Sequence, residues 1–128
     1  MSENEKNTEK LTPSTNELLG MDRESIKKSF VNNMEYSLGK DEYAATQHDC
    51  YNSIALTARD RLIERWICTQ QTYYKQNAKR VYYLSLEFLL GRTLGNSLIN
   101  LGMYEESDKA MHELGYSLEE LREKEWDD

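Results

Sequence analysis

Apolar residues recur every fourth position from Ile26 through Phe30 and Met34 to Leu38, with polar residues dominating the steps between. That spacing predicts an amphipathic helix, opened by Asp22 as N-cap and closed by Gly39. Residues 40 to 45 read as a short charged connection, after which Thr46 and Asp49 have the spacing of a capping box. The run from about 47 to about 77 holds neither Gly nor Pro and predicts one long helix. Tyr51, Ile54, Ala55, Ala58, Leu62, Trp66 and Thr69 mark one face, Leu56, Ile63, Ile67 and Cys68 widen it, and Asp60, Arg61, Glu64 and Arg65 line the remainder. At about 45 Å such a helix is longer than a small domain is wide, so part of it is expected to lie against other protein mass.

A different pattern follows. Residues 80 to 90, RVYYLSLEFLL, are nearly continuous in apolar and β-favouring types, which predicts a strand buried on both faces inside a mostly parallel sheet. The chain offers no second strand to pair with it, so the sheet is expected to continue outside this sequence. Three short helices are predicted after it: Leu94 to Leu101 before Gly102, Glu105 to Leu114 before Gly115, and Leu118 to Trp126 opened by a capping box of Ser117 and Glu120. The fold class read from this pattern is mostly α with one buried strand. Residues 1 to 20 are polar, hold Pro13 and carry nothing to repay the entropy of ordering, so they read as a flexible tail ahead of a unit spanning 21 to 128.

Charge narrows the partners. The 128 residues carry 16 Lys and Arg against 23 Asp and Glu, a formal net charge of −7, which argues against a nucleic-acid or anionic-membrane surface. No apolar run is long enough to cross a bilayer, and the start, MSENEKNTEKLTPSTNE, lacks the basic end and apolar centre of a signal peptide. An intracellular, cytoplasmic protein is the expectation. Cys50 and Cys68 agree with it, because 18 residues of helix set them roughly 27 Å apart, beyond disulfide reach. His48 and His112 have no ligand spacing, so no metal site is expected.

Few residues suggest chemistry. Glu87 is the one carboxylate within the apolar stretch, placed either to pair with Arg92 or to face a ligand crevice at the strand's C-terminal end. Gly91-Arg-Thr-Leu-Gly95-Asn lies between strand and helix, where a phosphate loop would sit. It matches no phosphate fingerprint, however, and reads better as a tight turn with Thr93 as N-cap. Gln70, Gln71, Tyr73 and Tyr74 end the long helix with amide and aromatic groups that suit either an interface or a nucleotide. No nucleophile with a base is visible, since Ser85 has no His nearby in sequence.

From Arg59 to Glu106 the motifs RW-x-x-TQQ-x-YY, KR-V-YYLSLEF, GR-x-L-x-N and N-L-G-x-Y stand in one order, and in that order and spacing the stretch resembles the glycogen phosphorylases. Weaker similarity runs back to about Glu24 and forward to the end, where the family continues into a glycine-rich loop, AGLGNGGLGR. The resemblance implies an incomplete front part of the first lobe of a two-lobed α/β glycosyltransferase of the GT-B type. It implies phosphorolysis of terminal α-1,4-linked glucose by orthophosphate, with pyridoxal phosphate held by a lysine beyond this chain, so that this segment alone is expected to be inactive. It places Glu87 near the glucosyl pocket and Leu89 against the cofactor. Asp41, Gln70, Gln71 and Tyr74 match residues that frame an AMP site across a homodimer contact, with Ala44 a departure from the family pattern. A regulatory serine does not carry over, because Ser14 has no Arg or Lys within three residues. The competing reading, from another class, is a freestanding helical interaction module that binds a partner through its long helix.

Overall fold

The computed structural model describes residues 19–86 and 91–125, and all of its regular structure is helical. Helix α1, Arg23–Asn32, runs on into one π turn, Asn33–Ser37; α2 is Gln47–Lys75, α3 Leu94–Asn100, α4 Tyr104–Glu113 and α5 Leu118–Arg122. Helix α1 packs on α4 and on α2, and the first half of α2 also receives α3 and α5.

Local chemistry sets the helix ends. The Asp22 carboxylate accepts from Ser25 N–H at the start of α1, and Thr46 with Asp49 closes the expected capping box on α2, Thr46 Oγ1 accepting from Asp49 N and Asp49 Oδ2 from Thr46 N. Both carboxyls are held below their usual range, by bonds from Ser25 at Asp22 and from Thr46 at Asp49. Gly39 leaves the π turn at φ +65, a left-handed conformation that costs glycine nothing. The π turn itself had no sequence signal. Leu38 N–H reaches Asn33 O at 3.0 Å, and the buried Asn33 side chain donates to Thr57 Oγ1 and Asp60 Oδ2, so a long-range polar contact stabilises the widened turn.

Two expectations are overturned. Residues 81–86 form no strand and are not buried: Val81, Tyr82, Tyr83, Leu84 and Leu86 all face solvent, and among the described residues no strand exists to pair with them. Apolar, β-favouring residues give a strand only where another ladder takes up their N–H and C=O groups. The capping box of Ser117 and Glu120 is also absent. Ser117 occupies the N-cap of α5 without a side-chain bond, and that helix ends at Arg122 instead of running toward Trp126, which lies outside the described residues.

The core joins Ile26, Phe30 and Met34 of α1 with its π turn, Cys50, Ile54 and Ala58 of α2, and Leu94, Leu98, Met103, Ala110, Met111, Leu118 and Leu121 from the C-terminal half. Phe30 and Tyr116 rings meet at 5.7 Å. Both cysteines are free thiols, with Cys50 buried; burial raises its pKa and keeps it protonated. Ser107 is the exception inside this core, a fully buried hydroxyl with no hydrogen-bond partner. Ser107→Ala is therefore expected to raise unfolding free energy by about 1 kcal/mol, because it removes an unsatisfied group and leaves little cavity. Urea denaturation of the two proteins side by side checks it.

An ion cluster ties α1 to α4. Arg23 Nη1 donates to Glu113 Oε1 at 2.5 Å and Lys27 Nζ to Glu113 Oε2 at 3.0 Å, with Glu106 beside Arg23. The bond from Arg23, then that from Lys27, holds the Glu113 carboxyl below its usual value of 4.5. A depressed folded-state pKa contributes stability that is present above the unfolded value and lost as pH falls through the folded one. Stability is thus expected to be level from pH 7 to about 5 with respect to this group and to fall below 4.5; Glu113→Gln should flatten that acid limb in thermal melts taken from pH 7 to 3.

Candidate functional site

The far end of α2 carries the amide and aromatic cluster. Helix register brings Gln70, Gln71, Tyr73 and Tyr74 onto neighbouring positions one turn apart. Gln70 Oε1 accepts from Arg80 Nη1 at 2.9 Å, and the Arg80 guanidinium lies over the Tyr73 ring at 5.6 Å. Asn77, at φ 48, turns the chain back there, with Ala78 N–H bonded to Tyr73 O, which is how Arg80 returns to the helix it has just left. Gln71 is half-buried, while Tyr74 is 79% exposed and presents its ring to solvent.

Asp41 sits in the connection before α2, exposed, with Oδ1 accepting from the amides of Tyr43 at 3.1 Å and Ala44 at 2.8 Å. From Thr46 to Gln70 is 24 residues of helix, about 36 Å, and the five residues from Asp41 to Thr46 span about 17 Å at most. Asp41 therefore stays at least about 19 Å from Gln70 in its own chain. One copy does not bring these residues together; a site using both needs α2 from one copy and the connection from another. Glu87 and Leu89 lie outside the described residues.

The turn before α3 is not a phosphate cradle. Thr93 takes the N-cap position without using its side chain as a cap, and the amides of Thr93 and Leu94 donate to the Glu125 carboxylate from the far end of the chain. An anion already occupies the helix start. The same carboxylate bonds Tyr51, whose phenol burial and then Glu125 push up to about 12, and Arg92 Nη1 pairs with Glu123 at 2.6 Å. Gly95 lies directly beneath the Arg122 guanidinium, where a Cβ would come within 2.6 Å of it, and Arg122 in turn donates to Tyr104 OH and covers that ring. The glycine serves packing.

Sequence reasoning missed Arg61, which it placed on the polar face of α2. The residue is fully buried, with Nε donating to Gly20 O at 3.0 Å, Nη1 to Thr57 O at 3.0 Å and Nη2 to Ser29 Oγ at 3.2 Å. Its neighbour Glu64 accepts Leu19 N–H with both oxygens, at 2.9 and 3.0 Å. A charged residue between other charged residues gives no pattern by which burial could be read. Among the described residues no group of three His, Cys, Asp or Glu could hold a metal ion, and no helix is long and apolar enough to cross a membrane.

This arrangement defines a helical segment with a polar and aromatic helix end. No family model matches the chain. It is similar to glycogen phosphorylases: 50% identical over 102 residues to the brain form of Bos taurus, 52% to the liver form of Homo sapiens and 48% to the muscle form of Ovis aries. Each match covers 80% of this chain and 12% of the relative. The chain is homologous to a segment of glycogen phosphorylase, and it spans about an eighth of the length of the curated relatives it matches.

Proposed function

We propose that the protein to which this segment belongs is an α-1,4-glucan phosphorylase, transferring terminal glucose from the glucan to orthophosphate to give glucose 1-phosphate. The observation that carries the reading is the half identity over 102 residues to phosphorylases of brain, liver and muscle form. In this reading the enzyme uses pyridoxal phosphate, works in the cytoplasm as a homodimer, and this segment belongs to its amino-terminal part, with Glu87 near the glucosyl pocket and Leu89 packing beside the cofactor. The start of α3 does not fit a phosphate group, because its amides already hold Glu125, and no step of the chemistry is assigned to the described residues. Gln70, Gln71 and Tyr74, with Asp41 of a second copy, form the nucleotide site. The separation of at least about 19 Å within one chain supports that division between copies.

The test is glucose 1-phosphate release from glycogen plus phosphate, by this chain and by the full-length protein, each supplied with pyridoxal phosphate. Release by the full-length protein alone is the expected result. Inactivity of both would overturn it and leave a helical interaction module.

A further inference from the structure

Residues 19 and 20 cross α2 as a strap held almost entirely through their backbone. Glu64 takes the Leu19 N–H with both carboxylate oxygens, and Arg61 donates to the Gly20 carbonyl, so two charged side chains one helical turn apart grip opposite ends of the strap. Arg61 is fully buried and its three acceptors are all neutral, namely two backbone carbonyls and the Ser29 hydroxyl. The strap supplies one of those acceptors, and the other two remain if it leaves. Gly20 makes the close approach feasible: a Cβ there would overlap Ser25 Oγ and Asp22 Oδ1, the two groups that cap α1. Leu19 keeps 41% of its surface exposed, so its side chain is only partly covered and the clasp bonds carry much of the hold.

We propose that Arg61 and Glu64 form a clasp that holds the Leu19–Gly20 strap on α2 and releases it while the helical core stays folded. The clasp couples the Leu19–Gly20 backbone to the middle of α2. Opening costs hydrogen bonds of charged groups, and it leaves the Ile26, Ile54 and Leu98 core in place, which makes it a local event separate from global unfolding.

Amide hydrogen exchange in the full chain tests this. In the wild type the Leu19 amide is expected to exchange at least tenfold more slowly than an unprotected one, and in Glu64→Ala that protection should vanish while the Ile54 and Leu98 amides keep theirs. If Glu64→Ala also strips protection from the core, Gly20→Ala decides, since it leaves both clasp side chains intact and displaces the strap from the start of α1, where the new Cβ would overlap Ser25 Oγ and Asp22 Oδ1. Loss of Leu19 protection in Gly20→Ala with core protection retained supports the clasp. Leu19 protection unchanged in either variant, or lost only together with core protection in both, overturns it.

Discussion

Truncating Ile54 to alanine is expected to lower the unfolding free energy by about 3 kcal/mol, within a range of roughly 2 to 5 for buried Ile or Leu. Ile54 has no exposed surface and belongs to the cluster that joins α1, α2 and the C-terminal helices. Removing three carbons there loses transfer free energy and leaves a cavity that rigid helices on several sides cannot close. For a unit of this size the melting temperature should fall by more than 10 °C. Trp66→Ala supplies the contrast. The indole is 61% exposed, and its loss should shift stability by no more than about 0.5 kcal/mol. Calorimetry on the two variants reads both, and equal losses would mean that the second half of α2 is packed as firmly as the first.

That contrast marks how far the sequence could be read. Ile54 and Trp66 fall on the same predicted stripe, and helical periodicity gives each the same weight. What separates them is whether another element arrives: α1, α3 and α5 all reach the first half of α2, so Ile54 and Ala58 are covered and Leu62 and Trp66 are not. Caps spanning three residues were legible at Asp22 and Thr46, although the same spacing at Ser117 and Glu120 gave no bond. Where the partner is distant they were not, and Glu125 at the start of α3 has no local signature. The stretch from Val81 to Leu86 failed for a related reason, since strand propensity is a statement about neighbours and none is present among the described residues. Arg61 reverses the usual rule. Its burial rests on carbonyls at Gly20 and Thr57, and carbonyl positions are a property of the fold, invisible in residue type.

Of the candidate site, the cluster ending α2 was legible because it is local. Four polar or aromatic residues within five positions share a helix end whatever the tertiary structure, and the turn at Asn77 added the contacts of Arg80 with Gln70 and with the Tyr73 ring. Asp41 shows the limit of that logic, because sequence proximity to α2 placed it at the opposite end of the helix from the residues it is proposed to work with.

The second large effect follows from that geometry. If the proposed nucleotide site between two copies is right, Tyr74→Ala is expected to weaken AMP binding by the full-length protein about 10- to 100-fold, the loss of one aromatic face against a base. Because Tyr74 is largely exposed, the same change should leave the melting temperature within a degree or two of the parent. Asp41→Ala is expected to weaken binding as well, through the partner copy. Mixing the two variants then separates arrangements that a single mutant cannot. If a site takes Tyr74 from one copy and Asp41 from the other, each mixed dimer holds one site with both residues intact and one with neither, so tight binding returns at half the wild-type stoichiometry. If both residues served a site within one chain, every site in the mixture would lack one of them and no tight binding would return. Titration calorimetry on the mixed dimers distinguishes the outcomes by stoichiometry alone, and a separation of at least about 19 Å within the chain predicts the first.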